Sequence, residues 1–187
     1  MMTVVSREKS IVMIGLMGAG KSAIGRRLAQ RLELPFHDAD SEVERAAGCS
    51  ISEFFALRGE SEFRAGERRV IARLLNAPPQ VLATGGGAFI DPETRVRVRK
   101  KGISVWLKAS LDVLVTRVRR RNHRPLLREG DPREILGRLM AERYPIYAEA
   151  DITVESVDGP HDDVVDSIVS ALEALRDNGS RQQADWA

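Results

Sequence analysis

Residues 10–22 read Ser10-Ile11-Val12-Met13-Ile14-Gly15-Leu16-Met17-Gly18-Ala19-Gly20-Lys21-Ser22. The first five are a short apolar run, rich in β-branched residues and closed by a glycine, which predicts a strand buried on both faces. Beyond Lys21, the apolar residues Ile24, Leu28 and Leu32 recur at four-residue spacing and predict a helix over 21–32. Between the two, Gly15 to Ser22 fits G-x-x-x-x-G-K-[ST], a loop that cradles phosphate. The chemistry dictates these residue types. Glycines let backbone N–H groups turn toward phosphate oxygens, where a Cβ would obstruct. The helix N-terminus adds its positive end, Lys21 meets the β- and γ-phosphates, and the Ser22 hydroxyl reaches Mg²⁺. Gly18, Ala19, Gly20, Lys21, Ser22 and Ala23 are thus the expected contacts to ATP.

The same stretch also satisfies G-x-G-x-x-[GA] over Gly18 to Ala23, with Asp38 and Asp40 at a distance suited to a ribose contact. That dinucleotide reading leaves Gly15, Lys21 and Ser22 as coincidences, whereas the phosphate loop uses them all. Working outward, residues 34–37, 80–84, 103–107 and 152–155 predict four more strands. Helices are expected over 40–48, 52–58, 60–76, 92–101, 110–121, 132–148 and 164–175. Ser50 with Glu53 forms a capping-box pattern, and Asp91-Pro92 and Asp131-Pro132 each pair an N-cap with a proline at the first helical position. Strands alternating with helices argue for one α/β domain, a parallel sheet between two layers of helices. The order of the strands does not follow from the pattern. The expected domain spans 10–177, with an arm at 1–9, a lid near 120–131 and a polar, disordered tail over 178–187.

Composition narrows the partners. The chain has 187 residues and a net charge of only +2, so no overall field draws in nucleic acid. Of its 29 basic residues 24 are arginines, the side chain that grips carboxylate and phosphate bidentately, although genome composition alone could give the same excess. One cysteine, Cys49, cannot form an internal disulfide, and the apolar run 11–19 is too short to cross a bilayer. A cytoplasmic protein without membrane or nucleic-acid partners is the expectation. His37, His123 and His161 share no metal-ligand spacing; His37 reads as structural and Trp106 as core.

Among phosphate-loop proteins, a GTPase needs an Asn-Lys-x-Asp motif, and no Asn-Lys pair occurs. A motor or transporter ATPase needs a strand ending in an acid for Mg²⁺. Here the third strand ends in Thr84-Gly85-Gly86-Gly87, and the only acids at a strand end are Asp38 and Asp40. A small kinase remains. It uses one carboxylate near the metal and another to orient the acceptor hydroxyl, although Asp40 could instead merely cap the helix after it.

Six elements together resemble the shikimate kinases in order and spacing: residues 15–22, Asp38-x-Asp40, Glu62-Phe63-Arg64, Gly85-Gly86-Gly87, Arg124-Pro125-Leu126-Leu127 and Arg143-x-x-x-Tyr147. The resemblance covers about residues 10–175. It implies the nucleoside-monophosphate-kinase fold with a five-stranded parallel sheet and a mobile lid, a monomer, and phosphorylation of the 3-hydroxyl of shikimate by MgATP. It places Lys21 and Ser22 at the phosphates and the metal, with Asp38 near the metal through water. Asp40 becomes the residue that binds the shikimate hydroxyls and acts as base. Arg64 and Arg143 hold the substrate carboxylate, and Gly85, Gly86 and Gly87 approach the acceptor. Arg124 is the lid arginine that reaches the transferring phosphate. Arg120 is assigned to adenine by its position relative to Arg124, with Arg119 and Arg121 competing. Glu67, one turn after Arg64, is suited to holding its guanidinium. Ala83 stands where some members carry a hydroxyl that assists the metal waters, which leaves metal positioning to Ser22 and Asp38.

Overall fold

Ile11, Val12, Met13 and Ile14 are wholly buried because their strand, β1 (Ser10–Ile14), lies at the centre of the sheet. The structure is a computed structural model that describes residues 8–120 and 130–184. In chain order it continues with α1 (Lys21–Leu32), β2 (Phe36–Asp38), α2 (Ala39–Ala47), α3 (Ile51–Leu75), β3 (Val81–Ala83) and a 3-10 turn over Ala88–Ile90. Then come α4 (Pro92–Lys101), β4 (Gly102–Lys108), α5 (Leu111–Arg119), α6 (Pro132–Tyr147), β5 (Ile152–Glu155) and α7 (His161–Ala184). The sheet order is β2-β3-β1-β4-β5, and every pairing is parallel. Helices cover both faces, α1 beside α7 and α3 beside α4. Each fully buried aliphatic side chain of the core stabilises this arrangement by roughly 1.5–3 kcal/mol over its exposed state.

Parallel pairing sends all five strand C-termini to one edge, where open α/β sheets bind ligands. That edge collects Gly15 after β1, Asp38 at the end of β2, Thr84 to Gly87 after β3, and Ser156 after β5. Gly15 is required by close approach as well as by its φ of 142°: a Cβ there would lie 2.8 Å from the Leu107 carbonyl oxygen.

Local departures from the sequence reading have simple causes. The two helices expected over 52–58 and 60–76 are arms of α3, broken where Gly59 adopts φ 76° and ψ 174°. Its start carries the expected capping box: Ser50 Oγ accepts from Glu53 N–H at 3.2 Å, and Glu53 Oε2 accepts from Ser50 N–H at 2.8 Å. The last helix, α7, starts at His161 and continues to Ala184, past the expected domain end at 177. The helix thus continues beyond its last buried apolar residue among the described residues, Leu172. Most of the expected lid, with Arg121 and Arg124, lies outside the described residues, as does most of the arm.

Candidate active site

The phosphate loop leaves β1 and enters α1 through Gly20, at φ 96° and with no side-chain cap on the helix. The uncapped N-terminal N–H groups of α1 are therefore open to an anion. Lys21 Nζ donates to the loop's own carbonyls, Gly15 O at 2.8 Å and Leu16 O at 2.9 Å. Next to it, Ser22 Oγ donates to Asp38 Oδ2 at 2.6 Å. A cleft of about 60 Å³ is lined here by Gly18, Lys21, Ser22, Asp38, Asp40 and Gly85, among others. Larger hollows, of about 500 Å³ between α3 and α4 and about 280 Å³ between α2 and α3, hold none of the expected site residues.

Asp38 and Asp40 have separate surroundings. Asp38 is the N-cap of α2: its Oδ1 accepts from the Asp40 N–H at 3.1 Å and the Ser41 N–H at 3.3 Å, leaving Oδ2 for Ser22. The capping role considered for Asp40 thus belongs to Asp38. Asp40, inside the first turn, faces the glycine turn after β3. A Cβ on Gly85 would lie 2.7 Å from Asp40 Oδ1 and 2.7 Å from Glu67 Oε1.

The two expected carboxylate-binding arginines reach the same turn from different helices. A Cβ on Gly87 would lie 2.6 Å from both terminal nitrogens of Arg64, and one on Gly86 would lie 3.4 Å from Arg143 Nη1. Arg64 is aimed by Glu67, whose Oε2 accepts from its Nη1 at 2.8 Å. Glu67 is buried, and its Oε1 has no hydrogen-bond partner among the described residues. Burial pushes its carboxyl above the ordinary range despite Arg64, and Asp40 and Asp91 add to that rise. The turn is held from behind by Tyr147, whose hydroxyl donates to Gly86 O and also bonds Arg143. Burial drives the Tyr147 hydroxyl pKa up to about 12, so it remains a donor.

Two contributions escaped the sequence reading. Tyr147 appeared there only as part of a motif, with no role for its hydroxyl. In the arginine run, Arg120 is exposed at the C-cap of α5, and Arg117 is the residue that meets the phosphate loop. Its Nη1 donates to Gly18 O at 3.3 Å and to Ser156 Oγ at 2.9 Å. The available signal was helical spacing: Arg117 lies one turn before Arg120, on the side that carries the buried residues Leu114 and Val118. His37 pairs with Glu42 at 3.6 Å, in keeping with a structural role, and Trp106 is buried.

A profile of the family described as shikimate kinase matches residues 17–173. The chain belongs to the shikimate kinase family. A shikimate kinase from Paramagnetospirillum magneticum is 65% identical over 150 residues, covering 80% of this chain and 77% of that protein. One from Caulobacter vibrioides is 59% identical over 166 residues, covering 89% and 83%. Among solved structures, the shikimate kinase from Acinetobacter baumannii in complex with shikimate superposes with a TM-score of 0.86 at 35% identity, covering 90% of this chain and 95% of that one. The matched span contains all the expected site residues, from Gly18 to Arg143.

The oxygen pair of Ser22 and Asp38 fits Mg²⁺, a hard cation that takes few protein ligands and keeps water and substrate phosphates for the rest. Among the described residues, no group of three or more His, Cys, Asp or Glu could hold a metal ion. No helix of the described residues is long and apolar enough to cross a membrane.

Proposed function

We propose that the chain transfers the γ-phosphoryl group of MgATP to the 3-hydroxyl of shikimate, giving ADP and shikimate 3-phosphate. The observation that carries this assignment is the convergence of Asp40, Glu67, Arg64 and Arg143 on three successive glycines beside the phosphate loop. An anionic triol needs cationic forks for its carboxylate and an acceptor for its hydroxyl proton, and this turn is flanked by both. Arg64 and Arg143 take the carboxylate. The N–H groups of Gly85, Gly86 and Gly87 leave room for the ring, since a Cβ at Gly85 or Gly87 would collide with the binding side chains.

Asp40 orients the 3-hydroxyl and accepts its proton as the new O–P bond forms and the bond to the β-phosphate bridging oxygen breaks. Lys21 exchanges its two loop carbonyls for phosphate oxygens and takes up charge on the moving group. Ser22 and Asp38 would hold Mg²⁺, and the ion bound there would supply neutralisation of phosphate charge. Arg124 supplies a further cation from the lid. A cytoplasmic monomer, with Cys49 reduced, completes the proposal.

The test is the initial rate of ADP formation from MgATP with and without shikimate. A rate that saturates with shikimate above a small background is expected. ATP binding without any stimulation by shikimate would refute the acceptor assignment.

A further inference from the structure

Ser156, just after β5, is 1% exposed, and the transfer described above does not use it. Its N–H donates to Lys108 O at 2.6 Å, which fixes it to the end of β4. Its hydroxyl donates to Ala19 O at 2.8 Å and accepts from Arg117 Nη1 at 2.9 Å. Arg117 itself lies across the same loop, 3.5 Å from Ala19 O and 3.3 Å from Gly18 O, and bonds Val157 O on the other side. The outer wall of the phosphate loop is thus tied to the far end of the sheet through the buried Ser156 hydroxyl and the Arg117 guanidinium.

The direction of that tie matters. In a trans peptide the C=O and N–H groups point in opposite directions. Drawing the Ala19 carbonyl outward to Ser156 therefore turns the Gly20 N–H inward, toward the cleft lined by Gly18, Gly20 and Lys21. No side chain caps α1 to fix that amide instead, and the Ala19 N–H is already engaged by Leu16 O at 3.2 Å. Glycine at position 20 leaves the peptide free to rotate when nothing holds it.

We propose that Ser156 is a positioning residue for the nucleotide: its hydroxyl holds the Ala19–Gly20 peptide with the N–H aimed at the phosphate chain. The inference rests on residues 15–22 binding the phosphates of ATP and is independent of which acceptor is used. A buried serine that served the fold alone would affect thermal stability without changing affinity for phosphate.

The experiment compares the parent with Ser156→Ala and Ser156→Thr by calorimetric Kd for ADP, for inorganic tripolyphosphate and for shikimate, together with Tm. Ser156→Ala should weaken ADP and tripolyphosphate alike by about tenfold, the scale of one lost hydrogen bond. Shikimate Kd should remain within about twofold, and Ser156→Thr, which keeps the hydroxyl, should restore both phosphate ligands. Parental Kd values for ADP and tripolyphosphate in Ser156→Ala, with only Tm lowered, would overturn the proposal. So would weakening of ADP with tripolyphosphate unchanged, which would move the effect to the base, or failure of threonine to restore binding. Should Ser156→Ala not fold, Ser156→Cys fills the same site with a weak donor and carries the same expectation. Absence of shikimate-stimulated turnover in the parent would refute the acceptor assignment and leave these phosphate measurements readable.

Discussion

Replacing Gly87 by alanine isolates the placement of Arg64 from the rest of the site. Gly87 sits at φ −95° and ψ −13°, a conformation alanine adopts without strain, so the substitution acts through its methyl group alone. That methyl would lie 2.6 Å from both terminal nitrogens of Arg64, whereas comfortable non-bonded contact begins at about 3.5 Å. The guanidinium must retreat by roughly 1 Å. It stands at the end of a flexible side chain, so the backbone need not move and Tm should fall by no more than about 2–4 °C, the equivalent of about 1 kcal/mol at this chain length. Function should suffer far more, because misplacing a binding group by about 1 Å can cost about a hundredfold. Steady-state ADP formation with shikimate varied at saturating ATP, and the converse, should show kcat/KM for shikimate lowered about 10- to 100-fold. KM for ATP should stay within about twofold, since the phosphate loop is untouched. An unchanged shikimate dependence would mean that Arg64 does not hold the acceptor. Equal loss against both substrates would mean that the methyl disturbs more than the guanidinium, and the reasoning from contact distance would fail.

Asp40→Asn should lower kcat by about 10²–10⁴ with ADP affinity nearly unchanged, as expected for a lost general base; parental turnover in that variant would remove Asp40 from the chemistry. Tyr147→Phe keeps the ring but deletes the donor to Gly86 O, so kcat/KM for shikimate should drop about tenfold while KM for ATP holds. Glu67→Gln tests a pH dependence. With its carboxyl raised above the ordinary 4.5, Glu67 binds its proton more tightly in the folded protein than in the unfolded chain. Its stabilising contribution is full below 4.5 and is lost as pH rises through the raised value. The denaturation midpoint of the parent minus that of Glu67→Gln should therefore decline with pH above 4.5, and a flat difference would contradict it. Asp91, where Arg68 and the Thr94 N–H outweigh burial and hold the carboxyl low, acts in the opposite sense on the acid side, outside the window above 4.5.

The phosphate loop and the five strands were legible because their signals are local. A buried parallel strand is a run of apolar residues, and a cradle for phosphate needs glycines at set intervals. The sheet order was not legible, since Ile11 meets Val81 and Ile103 through pairings that no neighbouring residue announces. For the same reason Arg64 and Arg143 read alone as solvated helix charges: the glycine turn that gives them a purpose lies more than 20 residues from Arg64 and more than 50 from Arg143. Only the resemblance joined them. At the end of α5 the contacts of Arg117 were not legible, because its partners Gly18 and Ser156 lie 99 and 39 residues away. Arg117 is on the side of the phosphate loop, and Arg120 is in solvent.

The pair Asp38 and Asp40 shows how a junction between strand and helix sets the directions of two side chains. Asp38 and Asp40 stand two residues apart where a strand ends. Within a continuing strand, however, such residues lie on the same face. They diverge here because the helix begins between them. Asp38 closes β2 with extended backbone and caps α2, which directs its free oxygen back to Ser22 at the head of α1. Asp40 has already entered the helical turn, which carries its carboxylate round to Gly85 and Glu67. The cap therefore has two effects: it stabilises the start of α2 by about 1 kcal/mol, and it orients the first carboxylate toward Ser22 and the second toward Gly85. Moving the helix start by one residue would change the direction of Asp40 by about 100°, one residue's rotation at 3.6 per turn. The junction between β2 and α2, rather than the i, i+2 spacing by itself, turns one aspartate to the phosphate loop and the other to the glycine turn.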